Sequence, residues 1–173
     1  MPHTDPAQIT FLILDVDGCL TDGSVALDQD GRETKRFNIK DGLGIRAWQD
    51  LGYGVAIITG RTSGSLAARA AELGIERVTQ GAKDKAAALQ TVLSETGVDP
   101  AHVAAIGDDW NDFPVLERVG FPACPSDAAD AVRRVAAFVC EQAGGRGAVR
   151  ELIEHLLSAR GELETAMARY RGR

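Results

Sequence analysis

Phe11-Leu12-Ile13-Leu14-Asp15-Val16-Asp17-Gly18-Cys19-Leu20-Thr21-Asp22-Gly23 runs four apolar residues into two carboxylates one residue apart, and then into a glycine-bounded turn. Side chains alternate along a strand, so Asp15 and Asp17 leave the strand end on the same side. Carboxylates that close raise each other's pKa unless a cation or a shared proton relieves them. A strand that ends this way binds a metal, or uses one carboxylate to attack while the other moves protons. A solvated acidic turn is the plainer alternative, and the rest of the chain decides between them.

Outward from this stretch, short apolar runs alternate with helical patterns. Strands are expected at 9–14, 55–59, 77–80, 103–107, 121–124 and 137–140. The central ones are continuously apolar, as in Val55-Ala56-Ile57-Ile58, which is what a parallel sheet covered on both faces requires. Helices are expected at 43–51, 65–73, 85–96, 112–119 and 128–135, with Gly52, Gly74, Gly97 and Gly120 where C-terminal caps belong. The expected fold is α/β, a doubly wound, mostly parallel sheet. Residues 24–37 break the rhythm around Asp28-Gln29-Asp30-Gly31 and read as an inserted β-hairpin. Residues 147–170 read as a long helix, broken at Gly161, with Leu152, Ile153, Leu156 and Leu157 as its apolar stripe.

The 173 residues suit one domain, 1–173, with the hairpin at about 24–37 and a C-terminal tail and helix at about 144–173. Nineteen Lys and Arg against 25 Asp and Glu leave a net charge of −6, which argues against nucleic acid as a partner. No apolar stretch is long enough for a membrane span, and residues 1–6 lack the features of a signal peptide. Three cysteines without metal-ligand spacing fit reduced thiols and a cytoplasmic protein.

In open α/β sheets ligands bind beyond the carboxyl ends of the strands. Those ends carry Asp15 and Asp17, then Thr59-Gly60-Arg61, then Gly107-Asp108-Asp109 followed by Trp110-Asn111-Asp112, with Lys85 opening a helix. Each has a task if the ligand is a phosphate ester. Asp15 and Asp108 can hold Mg²⁺, a hard cation suited to oxygen ligands, while Asp109 or Asp112 orients the metal's ligands. Thr59 and the backbone of the glycine turns, Gly60 among them, can donate to phosphoryl oxygens, and Lys85 adds positive charge. Asp17 can protonate a departing alkoxide and later deprotonate water. Trp48 and Trp110 are expected to be packing residues.

This ordered set, DxD, then Thr, then Lys, then GDD, resembles the haloacid dehalogenase superfamily of phosphohydrolases over about residues 11–151. The resemblance implies a Rossmann-like core and an aspartyl-phosphate mechanism. In it Asp15 is the nucleophile, and Asp17 is the acid/base whose backbone carbonyl also touches the metal. Thr59 and Lys85 bind phosphate, and Asp108 is the far Mg²⁺ ligand. A closer similarity, carried by DVDGCLTDG (15–23), FNIKDGLGI (37–45), ITGR (58–61), GDDWNDFPVL (107–116) and GGRGAVRE (144–151), is to the family of phosphatases acting on 3-deoxy-D-manno-octulosonate 8-phosphate (KDO 8-phosphate). That family lacks a large cap domain, forms homotetramers, closes its site with the hairpin and a neighbour's tail, and serves lipopolysaccharide biosynthesis. On this likeness Arg61 pairs with the sugar-acid carboxylate or the phosphate, and Arg146 reaches an anionic substrate. A nine-carbon keto-acid phosphate or a broader range of sugar phosphates is the alternative, and a non-catalytic interaction domain a more distant one. A receiver domain would place adjacent acids after the first strand, which the DxD spacing does not.

Overall fold

The computed structural model describes residues 3–172. Its six-stranded sheet is parallel throughout, in the order β5-β4-β1-β6-β7-β8. The strands are β1 (Phe11–Leu14), β4 (Gly54–Ile58), β5 (Arg77–Thr79), β6 (Val103–Ile106), β7 (Phe121–Cys124) and β8 (Phe138–Val139). The remaining pair, β2 (Ala26–Leu27) and β3 (Glu33–Thr34), forms a separate antiparallel hairpin. Helices α1 (Ile39–Asp50), α2 (Gly64–Leu73), α3 (Lys85–Thr96), α4 (Phe113–Leu116), α5 (Asp130–Arg133), α6 (Ala148–Ala159) and α7 (Leu163–Arg171) complete the chain.

The continuous hydrophobicity of the strands sorts by pleat into two cores. Leu12, Leu14, Val55, Ile57, Ala104 and Ile106 face Trp48 of α1, Leu66 of α2 and the Leu152–Leu156 stripe of α6. Phe11, Ile13, Ala56, Ile58, Val103 and Ala105 face the other way, against Leu89 and Val92 of α3, Leu116 of α4 and Val132 of α5. Both faces are therefore covered, the condition for an all-parallel sheet. β1 lies between β4 and β6, with Leu14 level with Ile57 on one side and Ile106 on the other. The chain leaves β1 toward β4 and later returns to its opposite side, so the crevice at a change of strand order opens beside residue 15.

Several expected boundaries move for physical reasons. α1 starts at Ile39, not 43, because Asn38 caps it by accepting from the Lys40 N–H at 2.9 Å. The expected helix 112–119 is a 3₁₀ turn at Trp110–Asp112 followed by the single turn of α4, which Pro114 opens. The expected helix 128–135 shrinks to α5. The long terminal helix is two helices, α6 and α7, with Gly161 between them in left-handed conformation. Gly74 and Gly97 close α2 and α3 as expected, whereas Gly120 is a close-packing site where a side chain would strike the Ala101 carbonyl. Trp48 is fully buried, but Trp110 is 69% exposed and lies outside both cores.

Two helices from distant parts of the chain are locked end to end. α1 packs chiefly on α6. The buried Asp41 of α1 accepts from the Arg150 N–H at 2.8 Å and so caps the first turn of α6. Burial holds the Asp41 carboxyl above the ordinary range, against the lowering effect of those backbone N–H bonds. Ahead of α6, Gly144 and Gly145 press on the loop after β1. The Gly145 N–H donates to the Cys19 carbonyl at 2.8 Å, Asn38 donates to the Gly145 carbonyl at 3.2 Å, and a side chain on Gly144 would collide with the Gly18 carbonyl. Residues 144–147 are thus a packed wedge rather than a flexible lead-in.

Candidate active site

Strand ends bring the expected residues together. Asp15 leaves β1, Asp108 follows β6 by two residues, and Lys85 opens α3. Lys85 is buried, and its Nζ lies 2.6 Å from Asp15 Oδ1 and 2.6 Å from Asp112 Oδ1. Burial works against the Lys85 ammonium, yet Asp15 and Asp112 outweigh it and hold its pKa above the ordinary lysine value. The second Asp112 oxygen accepts from the N–H groups of Asp108 and Asp109 at 3.0 and 3.2 Å, which fixes the turn after β6. Asp109 itself is exposed and caps that turn, accepting from the Trp110 N–H at 2.8 Å. Thr59 is buried at the end of β4, and its Oγ1 accepts from the Arg61 N–H at 3.4 Å across the exposed Gly60.

Negative charge at this spot is not balanced by the chain itself. Carboxylate oxygens of Asp15 and Asp108 and the Cys19 sulfur all lie within 4.8 Å of one another. Burial pushes the Asp15 carboxyl up, repulsion from Asp112 adds to it, and Lys85 only partly offsets both. Asp108 is pushed up to about 7, first by burial and then by Asp112 and Asp109. Hard oxygen donors with uncompensated charge, one buried and one half-buried, fit a hard divalent cation such as Mg²⁺. Cys19 does not belong in that ligand set. It is fully buried, and desolvation followed by repulsion from Asp15 and Asp108 holds it as a neutral thiol.

The Asp17 carboxylate lies outside this cluster. It is gripped by Lys35, whose Nζ also sits 2.6 Å from Glu33 Oε1. Glu33 Oε2 in turn meets Arg61 Nη2 at 2.5 Å. The hairpin therefore contributes two charged residues that the sequence reading missed. Their partners are set by the way the hairpin folds back over the site, so no local sequence signal pointed to them. Arg146 joins neither network. Its side chain is exposed and lies 3.8 Å from Asp22, beside a cavity of about 370 Å³ bordered also by Arg36, Asn38 and Gly145.

A covered parallel sheet, Asp15 and Asp108 after two adjacent central strands, and a buried lysine bridging Asp15 to Asp112 define a phosphate-handling α/β hydrolase. The chain belongs to the haloacid dehalogenase-like hydrolases, the family matched by residues 74–153. Among individual proteins it is similar to 3-deoxy-D-manno-octulosonate 8-phosphate phosphatase KdsC. It is 43% identical to the Salmonella typhimurium enzyme over 167 residues, 95% of this chain and 89% of that one. It is 44% identical to the Escherichia coli K12 enzyme, covering 92% and 85%. The crystal structure of the Moraxella catarrhalis phosphatase of that name, in complex with a magnesium ion, a phosphate ion and a KDO molecule, superposes with a TM-score of 0.93 at 37% identity, covering 96% of this chain and 95% of that one.

Proposed function

We propose that this chain is a Mg²⁺-dependent phosphomonoesterase that hydrolyses KDO 8-phosphate to KDO and inorganic phosphate. The observation that carries this reading is the buried Asp15–Lys85–Asp112 bridge at the end of β1, with the Asp108 carboxylate facing it. Likeness to the KDO 8-phosphate phosphatases at 43% identity supports the substrate.

Lys85 holds Asp15 Oδ1, which leaves the other oxygen for attack on phosphorus. That oxygen attacks, the ester P–O bond breaks, and an aspartyl-phosphate forms on Asp15. In its protonated form Asp17 gives a proton to the leaving 8-oxygen, and the resulting carboxylate, the form that Lys35 holds, takes a proton from the water that attacks the aspartyl-phosphate and frees phosphate. Thr59 Oγ1 and the Gly60 backbone support the phosphoryl oxygens beside the Lys85 ammonium. Asp15, Asp108 and the Asp17 carbonyl would hold Mg²⁺, which would neutralise the phosphoryl charge. Asp112 fixes Lys85 and the Asp108–Asp109 turn, and Asp109 closes that turn from outside. Arg61 receives the sugar-acid carboxylate, and Arg146 adds positive charge at the mouth.

The same reading makes the enzyme a cytoplasmic homotetramer in lipopolysaccharide biosynthesis. Exposed Val25, Leu27 and Ile39, on the hairpin and the adjoining start of α1, support assembly, since a lone two-stranded hairpin needs a packing partner. No helix among the described residues is long and apolar enough to cross a membrane.

Phosphate release with and without Mg²⁺, across KDO 8-phosphate, a nine-carbon keto-acid phosphate, hexose phosphates and p-nitrophenyl phosphate, tests the function. Strong Mg²⁺-dependent preference for KDO 8-phosphate is expected. Equal turnover of all esters would remove the substrate, and no turnover of any would remove the activity. Light scattering reads the assembly, for which four chains are expected.

A further inference from the structure

The charged residues of the hairpin form a chain of alternating sign that ends on the substrate-binding side of the site: Arg61, Glu33, Lys35, Asp17. Its two ends differ. Lys35 is 3% exposed and sits between two carboxylates, so the inner end is anchored. Arg61 is 47% exposed and meets Glu33 through Nη2, so the outer end is wet and breakable. Lys35 and then Arg61 hold the Glu33 carboxyl below its ordinary range, so it is an anion at neutral pH. A guanidinium gripped through one nitrogen still has a fork to offer, and a free carboxylate aligned with that fork can take it with two parallel hydrogen bonds.

We propose that Glu33 is an internal stand-in for the substrate carboxylate. It occupies Arg61 in the empty enzyme and is displaced when a carboxylate-bearing phosphate ester arrives. On displacement Glu33 keeps Lys35 as its partner, so the exchange leaves no charge stranded and leaves Lys35 on Asp17. An ester without a carboxylate gains nothing from the exchange and binds with Arg61 still covered. Glu33 thus sets how strongly the enzyme must be rewarded for the acid group. This inference rests on the reading above that Arg61 receives that group.

The test compares the full-length Mg²⁺-loaded wild type with Glu33→Gln and Glu33→Ala, using KDO 8-phosphate and p-nitrophenyl phosphate. Thermal melting verifies that each variant is folded. Both variants are expected to lower KM for KDO 8-phosphate about two- to fivefold, the range an exposed ion pair commands. Both should leave KM for p-nitrophenyl phosphate unchanged and kcat for each ester within about twofold. Calorimetric binding of KDO, which needs no turnover, should tighten by the same factor. A raised KM for KDO 8-phosphate, or a fall in kcat for both esters, would show that Glu33 orients Arg61 instead of competing with the substrate. No change with either ester would equally overturn the exchange. Arg61→Ala separates the two levels: an unchanged KM for KDO 8-phosphate in that variant would sink the carboxylate-binding reading of Arg61 itself.

Discussion

At the scale of single residues, one lysine is shared among too many acids, and this shapes both chemistry and stability. Asp15→Asn removes the proposed nucleophile while keeping its size and its contact with Lys85. It should cut phosphate release by at least about a thousandfold while leaving the circular dichroism unchanged. Wild-type turnover in that variant would refute covalent catalysis. The crowding also predicts a pH effect in the metal-free protein. Asp108 rises from 3.8 to about 7 on folding, so between those values the folded chain binds more protons than the unfolded one. Stability must therefore fall as pH increases through that window. Melting temperature of the metal-free protein should decline from pH 5 to pH 8, and added Mg²⁺ should raise it far more at pH 8, where protons no longer compete. Asp15, Thr59, Lys85 and Asp108 were legible in the sequence because each follows a strand end or opens a helix. Lys35 and Glu33 were not, because their partners Asp17 and Arg61 are set by how the hairpin folds back, which no local pattern encodes. Asp112 was read, with Asp109, as a candidate to orient the metal's ligands, and its carboxylate holds the Lys85 ammonium and the backbone of Asp108 and Asp109.

At the scale of elements, the segments 37–45 and 144–151 were conspicuous as text but silent about each other. Their meeting explains their composition. Asn38 caps α1 and reaches Gly145, Asp41 caps α6 across 109 residues, and Gly144 fits against the Gly18 carbonyl where no side chain could. Asp41→Ala removes a buried cap and should destabilise the protein by about 1–2 kcal/mol in urea titration. Asp41→Asn keeps an acceptor and should cost less than half of that. Gly144→Ala should cost about 2–4 kcal/mol by overpacking, and it should lower kcat as well, because the loop it would displace carries Asp17 and Gly18. Full activity in a folded Gly144→Ala variant would show that the wedge is not seated as described. The helix starts at 39 and 113 were misplaced for a related reason, since the Asn38 cap and Pro114 set them and hydrophobic period does not.

At the scale of the whole molecule, the sheet was legible because buried parallel strands have a distinctive continuous apolar text. The C-terminal helices were less so, since Gly161 had to be read as a complete stop. Their contributions differ. α6 buries Leu152, Ile153, Leu156 and Leu157 almost completely, and α7 buries only Ala166. Each buried aliphatic side chain of α6 is worth about 1.5–3 kcal/mol, and together they match the stability of a typical domain. A chain ending at residue 143 should fail to give a cooperative thermal transition, whereas one ending at residue 161 should melt cooperatively at a lower temperature. The contact between the Cys19–Thr21 loop and the Gly144–Gly145 wedge also places the finishing of the catalytic loop late in translation. Ribosomes add about 5–20 residues per second, so the acidic loop leaves the exit tunnel seconds before the segment that braces it. Until then α1 has no α6 to cover it, and the nascent chain offers an apolar face to chaperones. A message cut short after Asp112 encodes every carboxylate proposed for catalysis and should yield no turnover.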